Sequence, residues 1–270
     1  MSTITTILGG DNVGASRTDL NNNFANLNED KWQDEYLRNL LGPFAGNFTL
    51  TVERNSVAIG TSATEVVNNN SSNTWILIGM TVGNIDGTNA ADLDVTVDLG
   101  SGDQEVVDTL EVAANSKVDF WGKDNGYLVL QPNETVDMTA SVAGDLRADW
   151  VALDLGESVT SFVSKVVAVG NTATTLVTAV NSGQTIIASL WFGNIDGSND
   201  DAVDIVKNID GGGDTNMTVD LTVEAGKITI VNADGAYYDI LVDDTTNDVL
   251  KATATTASRI NAIVNYIERA

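Results

Sequence analysis

The 270-residue chain contains neither cysteine nor histidine. Without cysteine there is no disulfide, no thiolate metal site and no thiol nucleophile. Without histidine the chain lacks the commonest general base, the commonest transition-metal ligand and any Ser-His-Asp arrangement. Most hydrolase chemistry is thereby excluded, and no enzyme is expected. Basic residues are also scarce: 13 Lys and Arg face 38 Asp and Glu, a net charge of −25. Such a surface repels a phosphate backbone and an anionic membrane, so neither nucleic acid nor membrane is an expected partner. No stretch reaches eighteen apolar residues, and no basic segment precedes an apolar one near Met1, so neither a span nor a secretory signal is expected.

What is present is a duplication. Gly83-Asn84-Ile85-Asp86-Gly87 recurs letter for letter as Gly193-Asn194-Ile195-Asp196-Gly197. At the same spacing Gly60 meets Gly170, Ala63 meets Ala173, Thr64 meets Thr174, Val67 meets Val177 and Ile76 meets Ile186. Further on, Leu93-Asp94-Val95 meets Val203-Asp204-Ile205 and Lys117-Val118 meets Lys227-Ile228. A slightly larger spacing then aligns Arg147 with Arg259 and Val151-Ala152 with Ile263-Val264. Two sequential units are read, at 49–157 and 158–270, each of ordinary domain size. With 43% hydrophobic residues, each unit has enough apolar surface to bury a core of its own.

Residues 1–48 read differently. Ser16 followed by Asp19 suits a helix N-cap, and the pattern predicts a helix over Arg17–Leu41, ended by Gly42-Pro43. Leu20, Phe24 and Leu27 have heptad spacing, and Tyr36, Leu37 and Leu40 resume it in a shifted register. Five asparagines between Asn21 and Asn28 weaken such a helix, which therefore needs a docking surface or sister subunits. These apolar positions are the expected oligomerisation and docking residues.

Beyond Thr49 the period changes to two. Leu93, Val95, Val97 and Leu99 alternate with Asp94, Thr96 and Asp98, the pattern of a strand with one buried and one wet face. Trp75–Val82 is almost continuously apolar and reads as a central strand covered on both faces. Further strands are expected at Val57–Ile59, Glu65–Val67, Val106–Val112, Lys117–Trp121, Tyr127–Leu130, Val136–Val142 and Trp150–Leu155, and the second unit repeats the series. The expected fold is mainly β: two tandem antiparallel β-sandwiches, Ig-like or jelly-roll-like, set end to end through Leu155-Gly156-Glu157-Ser158 and preceded by a helical segment.

Candidate sites are few. The Asn-Ile-Asp-Gly loops read first as turns, since Asn and Asp cap their own backbone. Asp86, Asp92, Asp94, Asp196, Asp200, Asp201 and Asp204 also offer hard oxygen ligands for Ca2+, although their spacing departs from an EF-hand. No other cofactor is expected. Trp121, Tyr127, Tyr237 and Tyr238 look exposed, and Trp121, Tyr237 and Tyr238 could stack on a sugar ring, the basis of an alternative reading as a carbohydrate-binding or adhesin module.

The run Thr5-Thr6-Ile7-Leu8-Gly9-Gly10-Asp11, followed by Ser16-Arg17-Thr18-Asp19-Leu20-Asn21-Asn22-Asn23-Phe24-Ala25-Asn26-Leu27-Asn28, resembles the opening of many tailed-bacteriophage virion proteins. There a Gly-Asp turn precedes a Ser-Arg helix start and an Asn-rich segment. The units, with their Gly-x-x-Ala-Thr opening and Asn-x-Asp-Gly loop, are similar to small modules of phage fibre and head-decoration proteins. The resemblance implies a virion location, other capsid or tail proteins as partners, and homo-oligomers, trimers being common in the fibre group.

Overall fold

A computed structural model describes residues 50–122, 125–209, 211–231, 239–242 and 247–269. The expected helix over Arg17–Leu41, with its docking positions Leu20, Phe24, Leu27, Tyr36, Leu37 and Leu40, lies outside the described residues, as do Tyr237 and Tyr238.

The first repeat contains β1 (Thr51–Ala58), β2 (Thr64–Asn68), β3 (Trp75–Asn84), β4 (Ala91–Asp98), β5 (Asp103–Val112), β6 (Lys117–Trp121), β7 (Leu128–Leu130), β8 (Thr135–Ala140) and β9 (Leu146–Asp154). The second contains β10 (Phe162–Val169), β11 (Thr174–Thr178), β12 (Gln184–Asn194), β13 (Asp201–Asn208), β14 (Asp214–Val223), β15 (Ile228–Val231), β16 (Asp239–Val242), β17 (Val249–Ala254) and β18 (Ile260–Arg269). Among the described residues there is no helix.

Each repeat builds two antiparallel sheets in the same order. In the first they are β1-β9-β3-β6, with β7 also on β3, and β2-β8-β4-β5; in the second, β10-β18-β12-β15, with β16 on β12, and β11-β17-β13-β14. The alternation read from sequence is what permits this. On β4, Leu93, Val95 and Val97 are fully buried while the residues between them reach solvent. These side chains join Met80, Val82, Ala148 and Trp150 of the facing sheet in one apolar cluster, and Val203, Ile205, Leu190, Phe192 and Val264 do the same in the second repeat.

The pairing registers define structural counterparts. Thr81 lies opposite Asp149 and Asp119, and Trp191 lies opposite Ile263 and Ile230. Likewise Gly83 faces Arg147 and Lys117, whereas Gly193 faces Asn261 and Ile228. The sequence alignment is therefore corrected: Arg147 matches Asn261, not Arg259, and Lys117 matches Ile228, not Lys227. The Leu99–Gly102 loop before β5 is one residue shorter than its counterpart before β14, and the second repeat carries extra residues between β16 and β17.

A second correction concerns β3. Trp75, Ile76 and Leu77 are buried in succession, as expected, but the outward positions Ile78, Gly79, Thr81 and Gly83 are only half-buried, so from Ile78 onward the strand is covered on one face. The matching part of β12 is covered on both, with Ser189, Trp191 and Gly193 buried as fully as their inward neighbours. What covers it is the first repeat, so the units do not sit end to end.

Candidate interaction surfaces

The repeated pentapeptide closes the end of each central strand. Asn84 is buried, donates through Nδ2 to the carbonyls of Asn89 (3.0 Å) and Val112 (2.8 Å), and accepts from the amide of Asp86 (2.9 Å). Asn194 repeats this with Asn199 (2.9 Å), Val223 (3.0 Å) and Asp196 (2.9 Å). The Asp86 carboxylate then accepts from the amides of Thr88 and Asn89, and Asp196 from those of Ser198 and Asn199. Hydrogen bonding from Asn89 holds Asp86 below the usual carboxylate range; for Asp196 the Ser198 amide leads and Arg259, at 2.9 Å, adds to it.

Of the other acidic positions named as cation ligands, all but Asp92 are also capping groups. Asp94 accepts from the amide of Thr109 (2.9 Å) and Asp204 from that of Asp220 (2.8 Å), each residue the positive-φ corner of an edge-strand bulge. Asp200 accepts from Ala225 and Asp201 from Thr256. Asp92 is exposed. Among the described residues, no three carboxylates converge on a point where a metal ion could sit.

The junction between the repeats sets the outer face of β10-β18-β12-β15 against the open side of the first repeat, formed by β5, β6 and β7. Trp191 is fully buried and stacks on Trp121, ring centroids 5.3 Å apart and planes 15° from parallel. Trp191 and Ile263 belong to the first repeat's apolar cluster, and Val166, Ile228 and Ile230 pack against it. The first core is thus completed by side chains from the second repeat.

Polar groups finish the seam. The Nδ2 of Asn261 donates to the carbonyl of Glu105 on β5 (2.6 Å), and the amide of Val129 on β7 donates to Ser164 (2.7 Å). Ser164 in turn donates to Asn265, and Asn265 donates to Ser189. These bonds occupy backbone groups that edge strands otherwise leave open. A Cβ added at Gly193 would lie 1.7 Å from the carbonyl oxygen of Val106, and one at Gly197 would lie 1.9 Å from Oγ1 of Thr109. Both glycines of the second pentapeptide are therefore required by contact with β5. Near the same seam desolvation pushes the Asp108 carboxyl up, aided by Asp94, and desolvation does the same to Glu105. The interrepeat segment is tied down as well: the amides of Leu155 and Val159 bond to Thr74, and Gln131 donates to the carbonyls of Val159 and Phe162.

Two comparable surfaces remain uncovered by the described residues. The outer face of β1-β9-β3-β6 carries a shallow groove of about 800 Å³ lined by Arg54, Ser56, Gly79, Thr81, Asp119 and Asp149. Ser56 donates to Asp149 and accepts from Arg147. On the other repeat, β14 is exposed along almost its whole length, with Met217 39% and Val219 53% accessible, whereas Val106 and Val107 on β5 are buried.

Trp121 is 1% accessible and Tyr127 is buried, so the expectation that both are exposed is corrected; Trp121 spends its ring face on Trp191 and offers none to a sugar. The alternation within each repeat does not reveal the junction, but the replacement of Thr81 by Trp191 and of Lys117 by Ile228 at matched positions signals a face turned apolar.

No family model matches the chain, and no curated protein matches it. Among solved structures, it is similar to the major capsid protein P2 of bacteriophage PM2 at 12% identity and a TM-score of 0.35, over 80% of this chain and 97% of that one. It is similar to a CBM22 tandem domain of Paenibacillus barcinonensis Xyn10C at 13% identity and a TM-score of 0.25, over 82% and 92%. A Bacillus endospore appendage protein gives 16% identity and a TM-score of 0.29, over 42% and 93%. At TM-scores below 0.5 these likenesses carry no argument about function.

Proposed function

We propose that the chain is a non-enzymatic structural protein of a bacteriophage virion. Residues 1–48 attach it to other virion proteins and hold copies together, while residues 49–157 and 158–270 project as tandem β-sandwiches. The strand orders suit a jelly roll, in which eight strands wrap as two sheets, and do not require an Ig-like arrangement. The observation that carries the reading is the N-terminal run from Thr5 to Asn28, with its Gly-Asp turn and Asn-x-Asn-Phe-x-x-Leu-Asn segment. It is supported by a body in which the Asp86, Asp94, Asp196, Asp200, Asp201 and Asp204 carboxylates serve as backbone caps and Trp121 and Trp191 serve packing. The strong negative charge keeps crowded projections apart.

The test is deletion of residues 1–41. The truncated chain is expected to stay soluble and folded by circular dichroism, and to lose both attachment to particles and its oligomeric state by light scattering. A truncated chain that still assembles and attaches contradicts the assignment.

A further inference from the structure

The seam inside the chain joins the open side of one repeat to the outer sheet face of the other, and each repeat owns both kinds of surface. Among the described residues one of each is left over: the β14–β15 side of the second repeat and the outer face of β1-β9-β3-β6. We propose that these two surfaces join copies of this chain. The β14 strand of one copy lies across β3 and β9 of a second, repeating between chains the contact that β5 makes with β12 and β18 within one.

Three observations point to a second copy as the occupant. The first is the glycine pair of the first pentapeptide. Glycine inside a strand costs about 0.5–1 kcal/mol relative to alanine, so its presence needs a reason. Gly193 and Gly197 have one in Val106 and Thr109. Gly83 and Gly87 have none among the described residues: a Cβ at Gly83 meets nothing within 4 Å, one at Gly87 comes no nearer than 3.7 Å, and neither has positive φ. An arriving edge strand, with Met217 in the place of Val106 and Asp220 in the place of Thr109, supplies the missing reason.

The second observation is β14 itself. A ten-residue edge strand with exposed Met217 and Val219 is a template for association, and its counterpart β5 is covered. The third is polar matching. Arg147 occupies the position of Asn261, whose amide caps the β5 carbonyl at Glu105, and its guanidinium has donors to spare for the equivalent carbonyl at Asn216. Arg54 and Arg147 are exposed on this face, where Lys117 is already paired with Asp119 (2.9 Å), and they are the cations available to Asp220 of β14; Asp214 is held by Lys251 (2.8 Å) within its own repeat.

The two seams differ in strength. Thr81, Asp149, Lys117 and Asp119 stand where Trp191, Ile263, Ile228 and Ile230 stand in the internal seam, so the contact between copies is wetter and reversible. It is also heterologous: each copy gives an edge and receives one, which closes a ring or extends a row. The inference concerns the body of the chain and does not rest on a virion location.

The absence of cysteine makes the test clean. Within the chain, the Cβ built at Gly197 lies 3.2 Å from that of Thr109, close to the roughly 3.5–4.5 Å that a disulfide spans. The matching pair between copies is Gly87 and Asp220. Full-length chains carrying Gly87→Cys and Asp220→Cys, with distinguishable tags, are mixed and mildly oxidised. A shared interface raises the effective concentration of the two thiols, so mixed disulfide dimers should outnumber like-with-like dimers by roughly tenfold or more. Adding Gly83→Val to the first chain, or Val219→Asp to the second, should abolish the excess while leaving circular dichroism unchanged. A mixed dimer no more abundant than the like-with-like dimers overturns the proposal, and that is also the result if the chain's own N-terminal segment occupies the face. An excess that survives Gly83→Val overturns it equally.

Discussion

Removing the indole of Trp191 tests whether the second repeat completes the first core. The side chain is fully buried, and a buried tryptophan withdraws about 150–250 Å² from water, worth roughly 4–6 kcal/mol at about 25 cal/mol per Å². Its Nε1–H is buried without a hydrogen-bond partner among the described residues, which offsets about 1–3 kcal/mol of that gain. Stacking on Trp121 returns about 0.5–1.5 kcal/mol. Trp191→Ala should therefore cost about 3–4 kcal/mol, within the usual range for aromatic truncation in a core. Trp191→Phe keeps a ring against Trp121 and removes the unpaired donor, so it should cost only about 1 kcal/mol. Thr81→Ala, at the matched but half-exposed position, removes only a solvent-facing hydrogen bond to Asp119 (2.6 Å) and should cost no more than about 1 kcal/mol. Urea titration followed by circular dichroism reads all three, and the alanine variant at Trp191 should lose about 1 M or more in midpoint. Equal midpoints for the alanine and phenylalanine variants would refute the reasoning, as would a wild-type midpoint for Trp191→Ala.

Gly193→Ala forces a Cβ into the Val106 carbonyl and should destabilise by more than about 2 kcal/mol, whereas Gly83→Ala should be neutral or stabilise by up to about 1 kcal/mol in the dispersed chain, both read by thermal unfolding. Asp94→Ala strips the acceptor from the exposed Thr109 bulge amide and should cost about 0.5–1.5 kcal/mol, with Asp204→Ala matching it in the second repeat. Burial pushes the Glu134 carboxyl up to about 6, so the folded state binds its proton more tightly than the unfolded chain, whose value is near 4.5. That contribution favours folding below about pH 4 and is lost as pH rises through 6. Glu134→Gln should accordingly be more stable than the parent at pH 8 and lose that advantage at pH 4. Asp108→Asn should show the same sign, its carboxyl being raised by desolvation beside Asp94.

Much of this architecture is legible in the chain. The pentapeptide marks the duplication, and strict alternation at Leu93–Leu99 gives a half-buried strand that the structure bears out. The loop insertions are harder to read, for a physical reason. Matching Arg147 to Arg259 instead of Asn261 slips the register by two, which leaves the inside-outside pattern unchanged and so offers hydrophobic alternation nothing to detect. Matching Lys117 to Lys227 slips it by one, which would turn Ile228 and Ile230 inward. Their outward position makes sense only once the first repeat lies against them. The buried Trp121 misleads for the same reason: its cover comes from Trp191, 70 positions along the chain, and no local pattern encodes it. Conversely, the adjacent pair Trp191-Phe192 against Thr81-Val82 is a local sign that one face of β12 is covered where the matching face of β3 is open.

The central claim is that the first repeat depends on the second for a complete core. Hydrogen exchange read by mass spectrometry across a urea series tests it directly, through peptides covering β4–β5 (residues 91–112) and β13–β14 (residues 201–223). The account predicts that protection of β4–β5 never outlasts protection of β13–β14, because opening the second repeat withdraws Trp191 and Ile263 from the first. A urea concentration at which β13–β14 exchanges freely while β4–β5 remains protected would contradict it.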